Sequence, residues 1–298
     1  MKFKLPAVLC LVFVWISSCQ KEVSVELESP VENTPVDTIP SPENGGLLKR
    51  LVMQYEGELD SVICSFKYDS NNRFIELYTI NVGQSDPDDG VHSLLEQFTR
   101  NEKGIVEKIR LVTYLYYTPG VPQLHWDEEF TVHYNETAGQ YQYSITTGTG
   151  EMSPIHDSLA YKYGTNGLIS TVEIYHFQAN DTPHLDDKFE YIYSADKNIK
   201  IASATSVRNY PNREDWFKND LQYDDKINPL NFGQEILLTG GLLFSAPTPN
   251  NIIYRADFIN KEDIETIQYT YNSFDKPVTA LSQAETGQKV TMKYYYLK

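Results

Sequence analysis

Cysteine is scarce: the 298 residues contain three, Cys10, Cys19 and Cys64. That excludes a framework of several disulfides and, with no paired Cys-x-x-Cys, a zinc-ribbon site. Positive charge is also short, with 25 Lys and Arg against 41 Asp and Glu and a net of −16. Such a chain repels nucleic acid, so no nucleic-acid partner is expected. The apolar run from Leu5 to Ile16 is about twelve residues, well under the roughly twenty that a membrane-crossing helix needs. There is no His-Glu-x-x-His and no Gly-x-Ser-x-Gly elbow. Gly148-Thr149-Gly150 is too short to cradle a phosphate. These absences remove most enzymes that carry a local motif, and neither a cofactor nor a metal is expected.

What is present begins with an address. Lys2 and Lys4 precede the apolar run, and Ile16-Ser17-Ser18-Cys19 follows it, the layout of a secretory signal. The stretch resembles the lipobox of bacterial lipoproteins, although Ile16 stands where that family usually has leucine. The resemblance implies cleavage between Ser18 and Cys19 and a lipid anchor on Cys19. It places the protein in the cell envelope as an outer-membrane lipoprotein. Gln20-Lys21-Glu22 loosely resembles a surface-export signal, which leaves the periplasmic and outer faces both open. Loss of residues 1–18 would leave 23 basic against 41 acidic residues, a net of −18. Cys64, in phase with Val62, Phe66 and Tyr68, reads as a small buried hydrophobe.

Residues 19–46 change character after the anchor. Pro30, Pro35, Pro40 and Pro42 are accompanied by six acids, one lysine and no aromatic residue. Too little apolar surface is available to offset ordering entropy, so the segment reads as a disordered tether. It would reach about 30 Å as a coil and about 80 Å as polyproline II.

Residues 47–298 read as one repetitive β domain. "FKYDSNNRFIEL" from Phe66 returns as "YKYGTNGLISTV" from Tyr161, "LQYDDKINPL" from Leu221 and "YTYNSFDKPVTAL" from Tyr269. Looser copies start at Phe98, Val132 and Tyr191. The second anchor of each unit falls at 68, 100, 134, 163, 193, 223 and 271, mostly about thirty residues apart. Each unit is predicted to be strand, turn, strand. Asn72, Gly104, Gly139, Gly167 and Asn198 are expected to take the left-handed conformation that short hairpins need. Wider connections are expected at 83–90, 118–123 and 178–187.

Seven hairpins give about fourteen strands in an all-β, antiparallel up-and-down meander. A sheet of that size should curl into a barrel or half-barrel. Residues 228–251 break the pattern with an apolar run split by Gly240 and Gly241. They are expected to form an irregular excursion, with one helical turn, that plugs an end or covers a face.

The turn grammar resembles the tyrosine–aspartate (YD/Rhs-type) repeats of large secreted toxins. Over almost the whole chain it also resembles a group of uncharacterised secreted lipoproteins with a porin-like fold. That second resemblance implies a shape and transfers no catalytic residue. "HWDEEFTVHY" places His125, Asp127, Glu129 and His133 on one strand face, which suits a barrel outside the bilayer better than a membrane-spanning one.

Those four residues are the best metal candidates, and they read as a solvated face. The acidic pairs at 88–89, 128–129, 186–187 and 224–225 are candidates for a polysaccharide hydrolase, although neighbours on a strand point to opposite faces and Asp224 reads as a turn residue. Asp86, Asp88 and Asp89 only faintly suggest a calcium loop. Tyr210 and Trp216 lie outside the repeat grammar and are candidate sugar-stacking platforms. The favoured reading is an anchored, non-enzymatic β scaffold that binds a glycan, a peptide or an envelope protein. The alternative is a polysaccharide-acting hydrolase with carboxylates at the barrel mouth.

Overall fold

The computed structural model describes residues 46–57, 61–82, 91–118, 121–146, 156–177, 184–206, 214–239, 247–257, 259 and 264–297. Aromatic and β-branched residues alternate with polar ones, which suits a sheet with one dry face. The chain accordingly forms β1 Leu48–Tyr55, β2 Ser61–Tyr68, β3 Phe74–Val82, β4 Val91–Arg100, β5 Val106–Thr118 and β6 Val121–Asn135. β7 Gln140–Thr146, β8 His156–Tyr163, β9 Ile169–Phe177, β10 His184–Tyr193, β11 Ile199–Ser206 and β12 Glu214–Ile227 follow. β13 Asn250–Asp257, β14 Ile264–Tyr271, β15 Pro277–Ala284 and β16 Lys289–Tyr296 complete the set.

Every strand pairs with its sequence neighbours, and β1 pairs with β16 to close a barrel. The seven expected hairpins are β2–β3 through β14–β15. The count rises from about fourteen to sixteen because the terminal strands, which share no turn, pair with each other. Leu51 lies opposite Tyr294 and Met53 opposite Met292. Two of the expected connections are shorter than read, since β6 begins at Val121 and β10 at His184.

The repeat grammar is a hydrogen-bonding rule. In the first unit Asp69 N–H donates to Arg73 O at 2.9 Å and Asn72 N–H donates to Asp69 O at 3.0 Å. The same two bonds recur in the turns starting at Asn101, Gly164, Ser194 and Asn272. This is a tight turn followed by one left-handed residue, with a bulge that shifts register at the anchor. The left-handed residue falls four places past the anchor: Asn72, Gly104, Gly167, Lys197 and Asp275, with φ from 57° to 86°. The expectation for Asn198 is therefore corrected by one position. Asn198 is buried instead, and its side-chain amide donates to Asp196 and Asn250, both at 2.9 Å. Lysine is a poor residue for positive φ, so Lys197→Gly should stabilise the barrel by about 1 kcal/mol in urea unfolding. A neutral or negative change would contradict the assigned backbone.

Buried tyrosine needs a partner for its hydroxyl, and here that partner is the neighbouring unit. Tyr68 donates to Leu48 O at 2.8 Å, Tyr193 to Ile169 O at 2.8 Å and Tyr223 to Ile199 O at 2.6 Å. Tyr269 donates to Ile252 O at 3.0 Å and Tyr296 to Pro277 O at 2.8 Å. Each bond ties the end of an even-numbered strand to the start of the strand before it. Tyrosine thus stitches one hairpin to the next around the rim.

A closed sixteen-stranded sheet is too wide for wall side chains alone to fill. The excursion between β12 and β13 supplies the missing volume, as expected. Its 3-10 helix, Gln234–Thr239, buries Ile236, Leu237 and Leu238. They join the core formed by Phe66, Phe74, Phe98, Phe130, Ile169 and Val172. Phe232 stacks on Phe74 with centroids 4.2 Å apart. Burying Leu237 and Leu238 contributes about 2 kcal/mol each.

Candidate functional site

One residue that departs from the repeat grips the plug. Six of the seven second anchors are tyrosine, and the seventh is Arg100. Its guanidinium performs the tyrosine's task by donating to Phe74 O at 2.9 Å, tying the end of β4 to the start of β3. It also donates to Glu235 Oε1 at 2.9 Å and Oε2 at 2.6 Å, a bidentate grip on the plug. Tyr141 donates to the same carboxylate at 2.5 Å, so β4 and β7 converge on Glu235. Gln234 accepts from Ile169 N–H at 2.6 Å, and Tyr161 donates to Leu238 O at 2.6 Å. The plug is therefore fastened to several strands around the wall.

Beside it, at the rim that carries the tight turns, lies a cleft of about 430 Å³, a volume that suits a small ligand. Tyr68, Phe74, Phe232 and Tyr296 supply flat apolar surface, and Arg73 and Lys276 supply charge. Lys276 Nζ donates to Gly46 O at 2.7 Å, and burial holds its ammonium below the usual lysine range. The cleft thus opens beside Gly46, just before β1 begins at Leu48.

Above the plug, carboxylates face inward. Glu96 lies opposite Leu111, and Leu111 opposite Glu128, so the two acids share one level of the lumen. Being two strands apart, their Cα atoms are about 10 Å from each other. Both are 5 % exposed. Glu96 accepts from Thr239 Oγ1 of the plug at 3.2 Å. Burial pushes its carboxyl up to about 7, against the smaller opposing effect of that hydrogen bond.

The sequence candidates fare differently. Tyr210 lies outside the described residues, as do Ser18, Cys19 and the acids at 86–89. The backbone of Trp216 lies in β12 at a register shift, between Phe217 opposite Ala204 and Asp215 opposite Thr205. Its side chain is outside the description. Asp127 and Glu129 point outward and pair with Arg110 and Lys108. His133 stacks on Tyr143 at 4.2 Å. Among the described residues no group of three His, Cys, Asp or Glu could hold a metal. Asp224, read as a turn residue, lies in β12. There its carboxylate accepts from Asn251 N–H at 3.1 Å and from the Tyr271 hydroxyl. Asp225 is exposed. Cys64 is fully buried, and that burial raises its thiol to about 12, as a packing residue should behave.

Arg100, Glu235 and Glu96 were missed in the sequence. Only Arg100 left a signal, as the one second anchor that is not tyrosine.

No family model and no curated protein sequence matches the chain. In fold it is similar to a porin-like protein from Bacteroides uniformis, at 9 % identity and a TM-score of 0.52. The match covers 84 % of this chain and 98 % of that one. A porin-like protein from Bacteroides vulgatus matches at 9 % identity and a TM-score of 0.40, over 85 % and 99 % of the two chains.

Proposed function

We propose that the chain is an exported lipoprotein, anchored through Cys19 at the outer membrane, whose plugged barrel stands outside the bilayer as a binding module. The observation that carries this reading is the charge on the barrel's outward face. Lys67–Glu76 at 2.8 Å, Arg110–Asp127 at 2.6 Å, Lys108–Glu129 at 2.7 Å and Lys162–Glu173 at 2.5 Å all lie there. Each such cation would cost about 2–4 kcal/mol on a lipid-facing strand at mid-membrane. In water the same pairs cost nothing of the kind. The plug argues against a channel, and the cleft and the loop end offer surfaces for a glycan, a peptide or an envelope protein.

The test is Cys19→Ala, expressed with its own leader. The wild type should sediment with membranes and the variant should appear in the soluble fraction. A variant that still sediments would end the anchor assignment.

A second reading, polysaccharide hydrolysis, draws on the shared level of Glu96 and Glu128, a spacing within reach of paired acid and base carboxyls. Thr239 of the plug bonds to Glu96 at that level, so binding is the stronger reading. Release of reducing ends from a polysaccharide, abolished by Glu128→Gln, would reverse that order.

A further inference from the structure

The cleft beside the plug carries charge of the sign that the chain as a whole is short of. The protein has a net of −16. Yet the Lys, Arg, Asp and Glu residues lining the cleft are Arg73, Arg100 and Lys276 against Glu235 alone. Arg100 already holds both oxygens of that acid, and Tyr141 donates to it as well. Arg73 and Lys276 are fixed by other means. Asp69 accepts from Arg73 Nε and Nη2, both at 2.7 Å. Nη1 of the same guanidinium lies over Gly104, where a methyl group would collide with it. Lys276 Nζ donates to Gly46 O at 2.7 Å and stands 5.5 Å from the centre of the Tyr296 ring. Cations placed in advance lose little freedom when an anion arrives.

The two cations serve different parts of the cleft. Arg73 reaches to Gly104 in the β4–β5 turn, and Lys276 reaches to Gly46 just before β1. A ligand that meets both carries more than one acidic group. The rest of the lining suits sugar rings. Tyr68 and Phe232 are half-buried, and the side chains of Asn72 and Asn231 are exposed. Asn231 Oδ1 accepts from Gly233 N–H at 3.2 Å, so its amide N–H groups are turned to donating. Aromatic rings pack on the C–H face of a sugar, and carboxamides bond its hydroxyls. A carboxylate is the anion that guanidinium binds with the most direction.

We propose that this cleft binds a short run of uronic-acid residues in an acidic polysaccharide, whose carboxylates meet Arg73 and Lys276 and whose rings meet Tyr68 and Phe232. This rests on the binding-module reading above and names the ligand class.

The test uses the full mature chain and isothermal titration calorimetry with the trisaccharides of galacturonate and of mannuronate. At least one should bind, and at least tenfold more tightly than its own methyl ester, which keeps the sugar and loses the charge. The matching monosaccharide acid should bind at least tenfold more weakly than the trisaccharide. Arg73→Ala, which removes a surface pair and costs the fold little, should weaken binding at least fivefold, as should Lys276→Met. Arg110→Ala, in a pair on the outer wall, should leave binding unchanged. Equal binding of acid and ester would overturn the proposal. So would an equal loss in all three variants, since the anion would then sense only the overall field. Binding of the monosaccharide acid or of acetate as tightly as the trisaccharide would make this a simple anion site and would overturn it too. Failure of both trisaccharides to bind a chain that still fractionates with membranes through Cys19 overturns this proposal and leaves the anchored module standing.

Discussion

Arg100→Ala is expected to destabilise the barrel by about 3–5 kcal/mol, because it leaves a largely buried carboxylate without its counter-charge. The Arg100 side chain is 8 % exposed and that of Glu235 is 23 %. Removing the arginine also orphans Phe74 O and Gly104 O, which it satisfies at 2.9 Å each. The plug would lose its grip on β4, and water would gain access to Leu237 and Leu238. Thermal unfolding should shift down by about 10 °C. Arg73→Ala provides the contrast. Its pair with Asp69, at 2.7 Å, spans one turn at the surface, and its loss should cost under about 1 kcal/mol. Adding Glu235→Gln to Arg100→Met should recover part of the loss, since no charge then remains buried. If Arg100→Ala unfolds no earlier than Arg73→Ala, the plug is not held by this pair.

Stability should also fall as pH rises through the range where Glu96 titrates. Its carboxyl sits at about 7 in the fold against 4.5 for the free side chain. Between those values the folded state binds the extra proton, so unfolding becomes easier as pH rises. The penalty is absent below 4.5 and complete above 7, where it amounts to about 3 kcal/mol. Glu96→Gln keeps a carbonyl oxygen for Thr239 and carries no charge. The variant should match the wild type at pH 4 and exceed it by about 3 kcal/mol at pH 8 in urea titrations. A constant difference between the two proteins from pH 4 to pH 8 would show that Glu96 is not desolvated by the plug.

These two residues also mark how far the sequence could be read. The turn units were legible because a tight turn needs Asp, Asn, Gly or Ser at fixed offsets, and those residues are visible in one dimension. The left-handed position was misplaced at Asn198 because asparagine is the usual choice there. The structure accepts Lys197, since Asn198 is needed inside to bind Asp196 and Asn250. Asp224 was read as a turn residue because a short polar side chain just after the anchor aromatic can start a turn. In the structure it extends β12 and anchors β13 through Asn251. The inward carboxylates were invisible, because period-two patterning assigns residues to faces without saying what fills the space opposite.

Local chemistry along the chain, then, determined the hairpins and their antiparallel order, and it carries the expectations of an export address and of an anchor at Cys19. Closure needed the third dimension. The pairing of β1 with β16 joins residues at opposite ends of the domain, and no turn residue announces it. The plug is likewise decided by volume: a sheet of sixteen strands encloses more space than its own side chains fill, and Ile236, Leu237 and Leu238 are the apolar residues that the long connection brings inside. That enclosure is what leaves Glu96 with a raised pKa and makes Arg100 the fastening of the barrel's closed end.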